Sequence, residues 1–263
     1  MKNARRIVFK VGTSTLTHPS GMLNLRRIER LVRVLADLKN MGREIVLVSS
    51  GAIGVGVGKL GLAERPRDTR SKQAVAAIGQ VELMYIYDRL FSEYNHTISQ
   101  VLLTRDVVED ENRCELCRST FSRLLEYKAI PIVNENDTVA VEEIEFGDND
   151  SLSAVVATLC GADLLVILSD IDGLYDDNPR QNPQAVLISE VHQLDETVLE
   201  YAKGAGSARG TGGMVTKLHA AQIAGAEGID TIVMNGENPM KIYDLLEGRP
   251  VGTRFFAGQP GGR

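Results

Sequence analysis

Residues 132–150 read IVNENDTVAVEEIEFGDND, and the fold turns on how that stretch is parsed. It opens apolar, at Ile132 and Val133, and breaks at once into polar residues. Seven acids follow (Glu135, Asp137, Glu142, Glu143, Glu145, Asp148 and Asp150) without one Lys or Arg. Val139, Val141, Ile144 and Phe146 punctuate them, so this is no acidic tail. The alternation over residues 139–141 and the Gly147-Asp148 pair predict a short hairpin ending in a turn. Asn149, Asp150 and Ser151 then precede the apolar run LSAVVATLC, the pattern of a capped helix start. The order is strand, acidic connection, helix. Carboxylates and amides at loop ends above a buried scaffold suit the grip of a small polar ligand. A solvated hairpin followed by an N-cap is the plain alternative.

The same alternation runs outward in both directions. Residues 6–12 (RIVFKVG) form a β-rich run, and residues 24–41 place Ile28, Leu31, Val32, Leu35 and Leu38 at helical spacing. Gly42 suits the position just past that helix. Residues 45–49 read as a strand buried on both faces, 71–94 as a helix rich in Ala, Gln and Met, 97–103 as a strand, 112–128 as a helix and 130–133 as a strand. Beyond the acidic stretch come a helix at 152–160, a strand at 164–168, a polar loop at 170–183 and a short strand near Val186. A helix at 196–202, a glycine-rich segment at 204–213, a helix at 214–226, a strand at 229–234, a helix at 239–247 and a strand at 252–256 complete the series. Residues 54–59 (GVGVGK) read as a flexible loop. Apolar strands alternating with helices predict a mostly parallel sheet with helices on both faces, a three-layer α/β/α sandwich. Crossovers in such a sheet are right-handed. Ligands bind beyond the carboxyl ends of its strands, where Ser50, Asn134 and the Ser169-Asp170 pair all fall.

A length of 263 residues allows one α/β domain or two small ones, and there is no internal repeat or long linker. The chain is 43% hydrophobic and 24% charged, ample for a core. A net charge of −6 argues against a nucleic-acid backbone as main partner. An anionic ligand must therefore be met by local cations or backbone N–H groups. The N-terminus MKNARRIVFKVG lacks a signal-peptide pattern, and no apolar run reaches membrane-spanning length. Cys114, Cys117 and Cys160 are an odd set, unlike a secreted disulfide framework. Cys114 and Cys117 have zinc or redox spacing but sit in a helical pattern with no second pair. A cytoplasmic location is expected.

Three places carry chemistry. Lys10 interrupts an apolar strand just before Gly12-Thr13-Ser14, where an ammonium and backbone N–H groups can meet phosphate. A Lys snorkelling from a strand end is the alternative. Residues 210–217 (GTGGMVTK) put glycines directly before a helix, freeing its first N–H groups for an anion, with Lys217 about one turn in. Neither this segment nor residues 54–59 is a Walker A motif. Residues 168–175 (LSDIDGLY) follow a strand with a turn that can flank a base or ribose, or simply form a surface turn. His18, His96, His192 and His219 are scattered, so nucleophile-plus-base chemistry has no support.

Several motifs, taken in order, resemble the glutamate 5-kinases of the amino-acid kinase superfamily. Residues 48–53 (VSSGAI) are similar to their substrate loop, as are Lys72-Gln73-Ala74 with Gly79-Gln80 and residues 100–104 (QVLLT). Asn134-Glu135-Asn136-Asp137 with Phe146-Gly147-Asp148-Asn149-Asp150 is the most specific match, and residues 210–217 resemble the ATP loop. The resemblance spans Lys10 to about Phe256. It implies the amino-acid kinase fold over residues 1–256, with an N-terminal part mainly for glutamate, a C-terminal part mainly for ATP, and a tail at 257–263. It implies ATP- and Mg²⁺-dependent phosphorylation of the L-glutamate side-chain carboxylate, the first step of proline synthesis. Catalytic roles would fall to Lys10, Lys217 and Asp150, with Asp150 orienting the lysines. Ser50, Asp137 and Asn149 would bind glutamate. Lys10, Ser169, Asp170, Thr211, Gly212, Gly213, Met214, Val215, Thr216 and Lys217 would line the ATP site. Proline as feedback inhibitor and a homo-oligomer, dimer or tetramer, are also implied. Two departures stand out. Asp176-Asp177-Asn178-Pro179 is more acidic than a Thr-Ala-Asp-Pro-like segment, and the C-terminal PUA domain of many relatives is expected to be missing. A kinase of another small carboxylate, carbamate or phosphate, or a nucleotide-binding sensor without catalysis, remains the alternative.

Overall fold

The computed structural model describes residues 1–18, 22–104, 106–140, 149–204 and 213–258. The strongest apolar runs become the middle of the sheet, because a parallel strand covered on both faces has no solvent side to spend on polar residues. In chain order the elements are β1 (Arg6–Val11), α1 (Thr13–Leu16), α2 (Leu25–Asn40), β2 (Glu44–Val48), α3 (Ala52–Leu60), α4 (Thr69–Ser92), β3 (Ile98–Leu103), α5 (Asp106–Glu109), α6 (Glu111–Glu126) and β4 (Ile130–Glu135). They continue with α7 (Asn149–Cys160), β5 (Leu164–Ser169), β6 (Glu190–Val191), α8 (Glu196–Gly204), α9 (Met214–Ala226), β7 (Asp230–Asn235), α10 (Lys241–Leu246) and β8 (Thr253–Phe255). One sheet holds the strands in the order β3-β4-β2-β1-β5-β7-β8-β6. All pairings are parallel except β7 with β8.

The sheet divides two apolar cores. Ile7, Phe9 and Val11 of β1 join Ile28, Leu31 and Leu35 of α2 and Leu83 and Tyr87 of α4. Val8, on the opposite face, joins Leu152 and Val156 of α7 and Leu218 and Ala221 of α9. Alternation along the strand puts Lys10 on the face of Val8, toward α7 and α9. Its neighbours in register are Val48 and Ile167, so it lies in the middle of the sheet.

Helix ends follow the local chemistry. The Asn24 side chain accepts from Arg27 N at the start of α2, and Asp68 accepts from Ser71 N at the start of α4. Gly42, at φ +90°, turns the chain out of α2. The segment GVGVGK, expected as a loop, is the body of α3. Its glycines serve contact rather than flexibility: a Cβ on Gly56 would stand 2.0 Å from the Val75 carbonyl oxygen, and one on Gly79 would stand 1.8 Å from that of Ala52. Two helix backbones meet there with no side chain between them. The Gly/Val alternation disguises the period, since the partner helix lies elsewhere in the sequence.

Other departures are smaller. The strand expected near Val186 is instead β6 at Glu190–Val191, preceded by an isolated bridge of Tyr175 with Leu187. The short α1 and α5 fall where the sequence reads as connection. Val139 lies in a turn, its N–H donating to Asn136 O at 3.1 Å, rather than in a hairpin arm. The rest of the expected hairpin, residues 141–148, lies outside the described residues. In the acidic 176–178 loop the acids hold the loop itself: Val186 N donates to Asp176 Oδ1 at 2.7 Å, and Asn182 Nδ2 to Asp177 Oδ2 at 2.9 Å. Cys114 and Cys117 pack from α6 against the second core. Burial pushes the Cys117 thiol up to about 11 and that of Cys160 to about 12, which makes both poor thiolates.

Candidate active site

At the carboxyl ends of β1, β2, β4 and β5 the sheet opens against the N-termini of α7 and α9. Asp150, in the first turn of α7, is 1% exposed and sits between two lysines. Lys10 Nζ lies 2.6 Å from its Oδ1, and Lys217 Nζ lies 3.1 Å from its Oδ2. Thr216 Oγ1 is 2.9 Å from the same Oδ2 and 2.8 Å from Gly213 O. Burial pushes the Asp150 carboxyl up, but the charges of Lys10 and Lys217 outweigh it and hold the group below its ordinary value. Among the described residues two ammonium groups meet this one carboxylate, a local excess of positive charge in a buried place.

Helix α9 begins at Met214 with Gly213 as its N-cap and no side-chain cap. Its leading N–H groups therefore have no side-chain acceptor at the cap, and the helix dipole adds to the pull on an anion. Met214 is buried in the second core, so what it can offer a ligand is its backbone N–H. Val215 is exposed. Thr211 and Gly212 lie outside the described residues. Gly12 borders the cluster: a Cβ there would be 3.6 Å from Lys10 Nζ and 3.9 Å from Leu168 O. Ser169 is buried at the end of β5, its Oγ 3.2 Å from Asp170 Oδ1, and Arg180 approaches Asp170 Oδ2 at 3.8 Å.

On the other side of Asp150 lies a network of amides. Asn149 Nδ2 donates toward Ser49 O at 2.6 Å, Ser50 Oγ at 2.9 Å and Asn134 Oδ1 at 3.0 Å. Asn134 Nδ2 donates to Gln80 Oε1 at 2.8 Å. Ser49 Oγ meets Tyr87 OH at 3.0 Å, and burial pushes that phenol up to about 12. Gln73 Nε2 donates to Ala140 O at 3.1 Å, beyond the turn that carries the half-buried Asp137. Gln73, Gln80 and Tyr87 recur at seven-residue spacing and so share one face of α4. Gln73 and Gln80 belong to the pair of motifs that resembles the substrate loop, and the seven-residue spacing that adds Tyr87 to them is the signal in the sequence for this polar stripe among Val75, Ala76, Gly79 and Leu83.

The structure thus brings Lys10, Asp150 and Lys217 into direct contact, with Ser50 and Asn149 in the adjoining network. Asn134 and Gln80 lie in motifs the sequence singles out without an individual role, and Tyr87 is the participant it does not mark. A separate hollow of about 610 Å³ at the start of α2 is lined by His18, Arg26, Arg27, Arg30 and Glu237, and holds none of the expected site residues.

A parallel sheet opening onto buried lysines and a helix N-terminus defines a phosphate-handling enzyme. Residues 5–235 match the amino acid kinase family, and the chain belongs to that family. Inside it the chain groups with proteins named glutamate 5-kinase. It is 57% identical to the one from Clostridium perfringens, over 98% of this chain and 97% of that protein. It is 54% identical to the one from Clostridium acetobutylicum, over 97% and 96%. Among solved structures, the carbamate kinase of Giardia lamblia bound to AMP-PNP superposes with a TM-score of 0.67 at 17% identity, covering 97% of this chain and 99% of that one. At that identity the likeness concerns the fold alone.

Proposed function

We infer that this protein transfers the γ-phosphoryl group of ATP to the side-chain carboxylate of L-glutamate, giving L-glutamyl 5-phosphate, the step that opens proline synthesis. The observation that carries the reading is the convergence of Lys10 and Lys217 on Asp150. A carboxylate acceptor is already ionised at neutral pH, so no general base is needed. What the transfer requires is alignment and cancellation of charge on the moving phosphoryl group. Lys10, Lys217 and the N–H groups at the start of α9 supply that, and Asp150 holds both ammonium groups in place. Ser169, Asp170 and residues 211–217 would line the nucleotide, and Ser50, Asp137 and Asn149 would hold glutamate. The N-terminal part of residues 1–256 would thus serve the amino acid and the C-terminal part ATP.

The residues fit Mg²⁺ arriving with the nucleotide: among the described residues no group of three His, Cys, Asp or Glu could hold a metal ion by itself. When bound, the ion neutralises phosphate charge that the two lysines alone would leave.

Incubation with ATP, Mg²⁺, glutamate and hydroxylamine is expected to trap the acyl phosphate as a hydroxamate. Turnover of another acid with none of glutamate would remove the assignment. Asp137→Ala is expected to raise the KM for glutamate at least about tenfold, as loss of an ionic partner for the substrate ammonium, with kcat changed much less. An unchanged KM would refute that placement.

The same reading carries a cytoplasmic location, proline as feedback inhibitor and a dimer or tetramer. Among the described residues no helix is long and apolar enough to cross a membrane. Association is supported by Ile78, Val81 and Tyr85, which leave α4 with an exposed apolar stripe. A flat proline titration, or sedimentation as a monomer, would remove those two points.

A further inference from the structure

Amide groups are ambiguous in themselves, but here backbone groups at two points determine which way each one faces. Glu135 N–H can only donate, and it donates to Asn134 Oδ1 at 3.0 Å. Asn134 must therefore turn Nδ2 toward Gln80, whose side chain has to answer with its oxygen, at 2.8 Å. Ser49 O can only accept, and it takes a hydrogen from Asn149 Nδ2 at 2.6 Å. Asn149 Nδ2 is then fully engaged, since Ser50 Oγ and Asn134 Oδ1 also lie within reach of its two hydrogens.

Two consequences follow for a ligand. Asn149 has only its oxygen left, so it addresses a hydrogen-bond donor. Ser50 Oγ shares the second Asn149 hydrogen with Asn134 Oδ1 as an acceptor, so its own hydrogen is available to an acceptor such as a carboxylate oxygen. A donor beside a carboxylate is the head group of an α-amino acid. Asn134 is 3% exposed, so losing the oxygen that faces its Nδ2 would leave a buried donor without a partner. Turning the amide over would not help, because Nδ2 would then face Glu135 N–H and Asn149 Nδ2, both donors, so Asn134 has to shift and Asn149 loses the acceptor that orients it.

We propose that Gln80 is a positioning residue for the amino-acid substrate, acting through Asn134 to hold the Asn149 oxygen and the Ser50 hydroxyl in the polarity that recognises an ammonium and a carboxylate. The proposal rests on glutamate binding beside Asn149 and Ser50. It differs from a purely structural role in the kinetic constant it moves.

The test uses the full chain and three variants. Gln80→Met keeps the side-chain volume but loses the accepting oxygen, and is expected to raise the KM for glutamate about five- to tenfold, with the KM for ATP unchanged. Gln80→Lys, which offers only donors, is expected to do the same and serves should the Met variant fold poorly. Gln80→Glu retains an accepting oxygen and is expected to return the KM to within about twofold of the parent. The preference for glutamate over glutarate, which lacks the amino group, is expected to narrow in the Met and Lys variants and recover in the Glu variant. Equal effects on both KM values, no effect in the Met and Lys variants, or a Glu variant as impaired as the Met variant would each overturn the proposal. Absence of glutamate turnover in the parent protein would instead sink the proposed function.

Discussion

Replacing Lys217 with alanine is expected to lower kcat by a factor of about 10² to 10³, the scale seen when one preorganised electrostatic partner of a transition state is removed. The residue is 4% exposed, in the first turn of α9, and its Nζ lies 3.1 Å from Asp150. Its removal leaves Asp150 paired with Lys10 at 2.6 Å and in contact with Thr216 at 2.9 Å. No buried carboxylate is abandoned, so the chain is expected to fold. What disappears is the surplus positive charge that a transferring phosphoryl group would meet. The KM for ATP is expected to move less than kcat, because the α9 N–H groups and Lys10 remain. Single-turnover kinetics on folded variant would check this, and a near-parental kcat would contradict the role given to Lys217.

Asp150→Ala has a different signature. It removes the carboxylate that lies between Lys10 and Lys217, and leaves two buried ammonium groups without it. Breaking a buried ion pair by deleting one partner costs about 3–5 kcal/mol. A fall in melting temperature is therefore expected together with loss of kcat. ATP should stabilise this variant more than the parent, since a triphosphate replaces the missing negative charge. Equal melting shifts on adding ATP would argue against a shared phosphate site.

The same carboxylate sets an acid limit. Burial raises its pKa, Lys10 and Lys217 lower it by more, and the net direction in the folded protein is downward. A group depressed on folding contributes stability that is present above its unfolded value, about 3.9, and fades as pH falls through the lower folded value. Asp150's contribution should thus be intact at neutral pH and lost only in strong acid. Denaturant unfolding of parent and Asp150→Asn between about pH 2 and 7 would show it, as a stability gap that closes only below about pH 4. A gap unchanged in strong acid would sink the linkage.

Much of the architecture could be read along the chain because the relevant forces are local. Apolar runs such as RIVFKV and LLVILS announce buried strands, and Asn24 and Asp68 announce helix starts by capping the next free N–H groups. Lys10 stood out as a charge in an apolar strand, and residues 210–217 as glycines ahead of a helix. GVGVGK misled for a physical reason: a glycine that serves another helix's backbone looks the same as one that serves a turn. The helix is explained only by the α3–α4 contact, where Gly56 meets Val75 and Gly79 meets Ala52.

What the sequence by itself determined is therefore the succession of strands and helices, the placing of polar groups at strand ends, and the kind of charge each carries. What only the tertiary structure decided is who meets whom. Strand order puts β1 between β2 and β5, so that Lys10 faces the starts of α7 and α9. The Asp150–Lys217 contact and the Gln80–Asn134–Asn149 relay depend on that arrangement. Periodicity and capping are properties of neighbours along the backbone, whereas ion pairs and amide polarity belong to groups that folding brings within 3 Å or so of one another.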